Sequence, residues 1–156
     1  MAVLKEGSKA PAFKAVDQNG ESISLADFKG KKVILYFYPK DDTPGCTAQA
    51  CNLRDNHSAL IKKGFQIIGV STDDVKSHKK FETKYELPFP LVSDSDKKIV
   101  DKYNLWGEKK FMGRTYMGTT RTTFLIDETG KIVKIIAKPD TANHTEEILE
   151  AWKEVK

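Results

Sequence analysis

Cysteine is scarce in this sequence: two in 156 residues, Cys46 and Cys51, alongside three histidines, His57, His78 and His144. No histidine stands at metal-ligand spacing from another, and the cysteines with His57 make no zinc pattern, so no metal is expected. The step from Cys46 to Cys51 also lacks the Cys-x-x-Cys spacing of common dithiol reductases. Long apolar runs are missing too. The longest is far too short to span a bilayer, and Met1 to Lys9 carries Lys5, Glu6 and Lys9 where a secretory leader would be apolar. A cytoplasmic protein with no membrane association is the expectation, and there thiols stay reduced on average, which favours catalytic over structural cysteines. The net charge is +4, and the lysines are scattered without a basic block interleaved with aromatics. Solvated faces, and no nucleic-acid surface, follow. Repeats, linkers and low-complexity stretches are absent, so residues 1–156 read as a single domain. That length buries about 70% of the surface of the unfolded chain and needs no disulfide to fold.

What is present converges on Pro39-Lys40-Asp41-Asp42-Thr43-Pro44-Gly45-Cys46. The run Val33 to Tyr38 leads into it and reads as a buried strand, being short, β-branched, aromatic and ended by proline. Thr47 to Lys63 reads as a helix, with apolar or small residues at Cys46, Ala50, Leu53, Leu60 and Ile61 and a C-cap at Gly64. Thr43 is a favoured N-cap and Pro44 suits the first helical position, which puts Cys46 third. Unpaired N–H groups and a partial positive charge at that end favour a thiolate. Cys46 as a small core hydrophobe is the competing interpretation, and Cys51 weakens it. On an ideal helix the two Cα atoms lie roughly 8.6 Å apart, whereas a disulfide needs under about 7 Å. The spacing therefore predicts a reduced helical state and an oxidised, locally unwound one, as for a cycling redox pair.

Around this centre, residues 13–17 and 22–25 alternate about Asn19-Gly20 as a hairpin, and Phe65 to Ser71 forms a second buried strand. A helix over about 74–85 is capped by Thr72-Asp73-Asp74. A short extended piece, Phe89 to Val92, precedes a short helix capped by Asp94-Ser95-Asp96. From Asn104 to Thr120 the pattern weakens into a long loop or a lid, whose aromatics read as core packing more readily than as a substrate pocket. Two strands flank Asp127-Glu128-Thr129-Gly130, and Thr141 to His144 opens a last helix. The histidines, each on or beside a helix, read as solvated or capping. The order βαβ, then helices, then ββα is a thioredoxin-like α/β arrangement: a central mixed sheet flanked by helices, with the N-terminal hairpin as an extension. Ligands in such folds gather at the carboxyl ends of parallel strands, where Cys46 lies.

A thiol with the reference pKa of 8.5 is only about 3% ionised at pH 7, so full ionisation gains at most roughly thirty-fold. Fast attack by such a thiolate needs donors aimed at the atom that leaves with the charge. Candidates are the Thr43 hydroxyl, the Gly45 and Cys46 amides, and a guanidinium. Arg121, before an apolar strand, could serve, or could form an ordinary surface salt bridge.

Pro39-x-x-x-Thr43-x-x-Cys46 resembles the peroxiredoxin active-site pattern. Phe37-Tyr38-Pro39, Cys51-Asn52-Leu53-Arg54-Asp55, Trp106-Gly107-Glu108-Lys109 and Asn143-His144 are similar to its bacterioferritin-comigratory-protein (PrxQ) branch, over nearly the whole chain. The resemblance implies a thioredoxin-dependent peroxidase with Cys46 as peroxidatic and Cys51 as resolving cysteine. It places Thr43 and Arg121 in the peroxide site and Pro39 and Gly45 in its support. It implies a hydroperoxide substrate, thioredoxin or a similar dithiol as reductant, a monomer and no cofactor. A thioredoxin-like dithiol reductase and a redox-sensing module remain the alternatives.

Overall fold

The computed structural model describes residues 4–155. β1 (Lys14–Val16) and β2 (Ser22–Ser24) form the expected hairpin. In its turn the Asp17 carboxylate accepts from the amides of Asn19 and Glu21, and Gly20 takes a positive φ of 73°. A 3-10 turn, Leu25–Phe28, leads into β3 (Lys32–Phe37). After it come α1 (Pro44–Asp55), α2 (His57–Lys62), β4 (Phe65–Ser71), α3 (Val75–Tyr85), β5 (Leu91–Ser93) and α4 (Lys98–Lys102). The chain closes with β6 (Trp106–Phe111), β7 (Arg114–Thr119), β8 (Thr122–Ile126), β9 (Ile132–Ile136) and α5 (His144–Lys153).

Seven strands make one mixed sheet in the order β2-β1-β5-β4-β3-β8-β9, with β3, β4 and β5 parallel and the other pairs antiparallel. The two-residue period of β3 divides the core between the sheet's faces. Ile34, Tyr36 and Tyr38 pack with Cys46, Leu53 and Leu60 of α1 and α2, Phe81 of α3 and Ile148 of α5. Val33, Leu35 and Phe37 pack on the other face with Phe13 and with Ile99, Val100 and Tyr103 around α4. A strand buried on both faces has no polar alternation, which is why 33–38 reads as one apolar run. Among the described residues no helix is long and apolar enough to cross a membrane.

Three expectations need correction. The helix expected to run through to Lys63 breaks at Asn56, whose side-chain amide donates to the Asn52 carbonyl at 2.8 Å and competes with the backbone for that acceptor. The stretch 104–120 is not a loop, and its aromatics divide, Trp106 packing against the core as expected. It holds a separate two-stranded antiparallel ribbon, β6 against β7, and Met112, Tyr116 and Met117 are exposed on it. Its turn is Met112-Gly113, both at positive φ (51° and 78°); a methionine in that conformation is not a turn signal a sequence offers. Finally, His78 and His144 are fully buried inside hydrogen-bonded networks, not solvated.

Candidate active site

β3 ends at Phe37 and the chain crosses the carboxyl ends of the parallel strands before entering α1. Pro39 is half-buried at that crossing, and Asp41 is buried. Thr43 is the N-cap of α1 in extended backbone (φ −98°, ψ 155°), Pro44 holds the first helical position, and Cys46 the third, as the sequence predicts. The Thr43 hydroxyl, however, does not cap. It turns back and donates to the Lys40 carbonyl at 2.9 Å. Two things follow from that. Its proton is committed, so toward an approaching molecule Thr43 presents lone pairs, an acceptor where a donor was expected. The Gly45 and Cys46 amides, which helix geometry leaves without an intrahelical acceptor, also stay uncapped.

Cys46 is buried, at 1% exposure, and Cys51 half-buried; both thiols are free. Both lie in α1, so the separation of an ideal helix applies and no disulfide spans them without unwinding. Arg121, half-buried between β7 and β8, reaches Cys46: Nη2 donates to Sγ at 3.2 Å. Its other arm, Nη1, donates to Gln49 Oε1 at 2.7 Å. No carboxylate lies within ion-pair distance of Arg121 among the described residues. The surface salt bridge therefore gives way to a guanidinium held by a neutral amide, with its charge left for the sulfur. Gly45 makes the approach possible, since a Cβ there would stand 3.2 Å from Arg121 Nη2.

Three neighbours escape the sequence reading. Gln49 is fully buried one turn after Cys46, and that i, i+3 spacing was the available signal. Lys109 on β6 donates to the Thr119 carbonyl at 2.9 Å. Burial lowers its pKa, Arg121 lowers it further, and Cys46 pulls the other way, which sets this second cation beside the site. Beneath, the buried Tyr36 phenol is pushed well above its usual range by burial and then by the Cys46 charge, so Cys46 faces a neutral ring there. Asp41, Asp73 and His78 bring potential ligand atoms within 4.8 Å of one another. All three are engaged in hydrogen bonds: Asp41 with His78, Ser77 and Tyr38, and Asp73 with Ser71 and the Asp41 amide.

The site thus combines a buried thiol at a helix start, a fixed guanidinium on its sulfur, two open amides and a second thiol reachable only by unwinding. Residues 7–135 match the AhpC/TSA family. The peroxiredoxin Bcp of Escherichia coli K12 is 47% identical over 154 residues, covering 99% of each chain. Among solved structures, a mutant of PrxQ from Xylella fastidiosa superposes with a TM-score of 0.90 at 30% identity, covering 98% of both chains. The bacterioferritin comigratory protein of Xanthomonas campestris, described for its alkyl peroxide reduction activity, gives 0.83 at 35% identity over 90% of both. The mixed sheet flanked by helices is therefore the thioredoxin-like fold of these proteins, and the chain belongs to the AhpC/TSA family, in its Bcp/PrxQ branch of thiol-dependent peroxidases.

Proposed function

We propose that Cys46 is the peroxidatic and Cys51 the resolving cysteine of an atypical two-cysteine cycle reduced by thioredoxin or a similar dithiol. The observation that carries this is the Arg121 guanidinium on the Cys46 sulfur, steered by Gln49. The Cys46 thiolate attacks the terminal oxygen of a hydroperoxide. An S–O bond forms, the O–O bond breaks, and the leaving oxygen takes a proton to depart as water or an alcohol. Negative charge moves from sulfur to that oxygen, so Arg121 and the Gly45 and Cys46 amides stabilise it at both ends of the transfer. Thr43, its proton given to Lys40, accepts the hydroperoxide O–H and orients the reacting oxygen. Pro39 screens the mouth, and Gly45 leaves room for the guanidinium. The alkyl peroxide activity of the Xanthomonas relative makes organic hydroperoxides candidate substrates beside hydrogen peroxide.

Once α1 unwinds, the Cys51 thiol attacks the sulfenic sulfur, the S–S bond forms and water leaves. The external dithiol then reduces that bond and becomes a disulfide itself. No metal or organic cofactor enters, and we take the working unit to be a cytoplasmic monomer of one thioredoxin-like domain. The test is peroxide consumption coupled to thioredoxin, thioredoxin reductase and NADPH. Cys46→Ser should fall to background; Cys51→Ser should consume one equivalent of peroxide and stop. A wild-type enzyme that forms and reduces the disulfide yet consumes no peroxide would point instead to a redox-sensing module.

A further inference from the structure

The buried network around Asp41 touches no reacting atom, yet it is the most heavily bonded feature beside the site. Asp41 Oδ1 accepts from the Tyr38 hydroxyl at 2.6 Å, and Oδ2 from Ser77 Oγ at 2.8 Å and His78 Nδ1 at 2.7 Å. The Asp41 amide donates to Asp73 Oδ2 at 2.8 Å. On its far side His78 Nε2 meets the Val92 carbonyl at 3.0 Å. Both ring nitrogens therefore face oxygen atoms, and the shorter contact, at 2.7 Å, is the one to the Asp41 carboxylate, a charge-assisted bond. One residue thus ties down the loop after β3, through its side chain to Tyr38 and α3 and through its amide to Asp73 after β4.

Asp42 continues the attachment. It sits in left-handed backbone (φ 57°) and accepts from Lys84 Nζ and Tyr85 Oη, each at 2.9 Å. Beyond the cysteines the fixings resume at Asn52, whose Oδ1 accepts from the Thr145 amide at 2.8 Å and whose Nδ2 donates to the Ala142 carbonyl at 3.0 Å. Between the two fixings, Cys46 and Gln49 make side-chain hydrogen bonds only to Arg121 among the described residues.

We propose that the Asp41–His78 pair and Asn52 are latches marking the two ends of the segment that unwinds during turnover, confining it to residues 43–51, which hold both cysteines. The inference rests on the Cys46–Cys51 disulfide of the preceding section. Opening then sacrifices the Arg121 contacts and the first turns of α1, while Asp41 keeps the loop after β3 in place for the site to re-form after reduction. Asp41 and His78 act through the loop, so they are positioning residues and not catalytic ones.

The test separates the two chemical steps by rapid quench and thiol alkylation: loss of the Cys46 thiol reports peroxide attack, and loss of the Cys51 thiol reports disulfide formation. In His78→Gln the charge-assisted bond is gone, and the ratio of disulfide formation to peroxide attack should rise on the order of tenfold. Amide exchange over 41–46 in the reduced enzyme should accelerate by a similar factor. Ser77→Ala, which removes one neutral donor, should move both in the same direction by roughly threefold and serves if His78→Gln fails to fold. Tyr103→Phe is the control, because it removes a hydrogen bond of a buried residue to the Pro11 carbonyl on the other face of the sheet. Its melting temperature should fall with the ratio fixed. If His78→Gln and Ser77→Ala also lower the melting temperature with ratio and exchange as in wild type, the latch is overturned. A wild type that loses the Cys46 thiol and never that of Cys51 overturns the disulfide itself, a result distinct from a variant that fails to shift.

Discussion

The two halves of α1 share one helix and differ in what holds them. From Cys51 on, Asn52 is bonded to the Ala142 carbonyl and the Thr145 amide, Leu53 is fully buried, and Arg54 donates to the Tyr85 carbonyl at 2.8 Å. Before Cys51, the side-chain hydrogen bonds to the rest of the protein run through one guanidinium, and the N-cap hydroxyl is turned away. The carboxyl-terminal half is fixed to backbone that does not change during the reaction. The amino-terminal half is held by a guanidinium through a sulfur that, in the proposed cycle, does. In that cycle, once Cys46 carries oxygen the Arg121 contact is disturbed by the chemistry itself, so the half that unwinds loses its hold at the moment it needs to.

Arg121→Ala breaks this comparison most completely. It removes the donor from the reacting sulfur and the hold on Gln49 together, and the rate of peroxide attack on Cys46 should drop on the order of 100-fold or more, as for other preorganised donors. Stopped-flow oxidation measures it, and a loss under threefold would remove Arg121 from the site. Gly45→Ala is a finer cut through the same contact. With a Cβ 3.2 Å from Nη2, the guanidinium must give way by a few tenths of an ångström. The peroxide step should slow by roughly tenfold, given the sensitivity of rates to displacement, while the fold stays intact by circular dichroism.

Asn52→Ala probes the opposite half. Two hydrogen bonds to α5 and its lead-in disappear, at about 2 kcal/mol in stability, which lowers the melting temperature by about 4–8 °C in a chain of this size. Peroxide attack on Cys46 should change little by comparison. Should Asn52→Ala instead slow that step as much as Gly45→Ala does, the two halves are not independent.

How much of this was legible beforehand depends on the range of the interaction. β3, the N-cap at Thr43, Pro44 and the third-position Cys46 are local, carried by an apolar run and three capping preferences, and they stand where the sequence puts them. Arg121 at Cys46 joins positions 75 apart; no periodicity encodes that, position alone left Arg121 between the site and a surface salt bridge, and the resemblance to a family chose between them. The Thr43 hydroxyl was misassigned because donor and acceptor roles depend on which neighbour takes the proton, here the Lys40 carbonyl. The β6–β7 ribbon hid behind a turn whose first residue is methionine, and His78 behind a helix whose buried side carries a charge partner from a distant loop.

The smallest expected effect concerns His144, at the start of α5 beside Thr145, the residue that holds Asn52. Its ring is buried between Thr123 Oγ1 and Glu147 Oε1, each at 2.9 Å. Burial lowers its pKa below the ordinary histidine value; Glu147 pulls it back and Arg121 adds to the lowering. The unfolded chain, with histidine near the usual 6.5, therefore binds the proton more readily than the native state. Stability from this group is full above about pH 6.5 and is lost as the pH falls below it. The measurement is urea unfolding at pH 7.5 and 5.5 for wild type and His144→Gln. Carboxylates common to both cancel in the difference, and the wild type should lose more stability on acidification than the variant. The reverse sign would mean that Glu147 outweighs burial and that His144 is held as a cation, which would make acid strengthen the seat of Asn52 instead of loosening it.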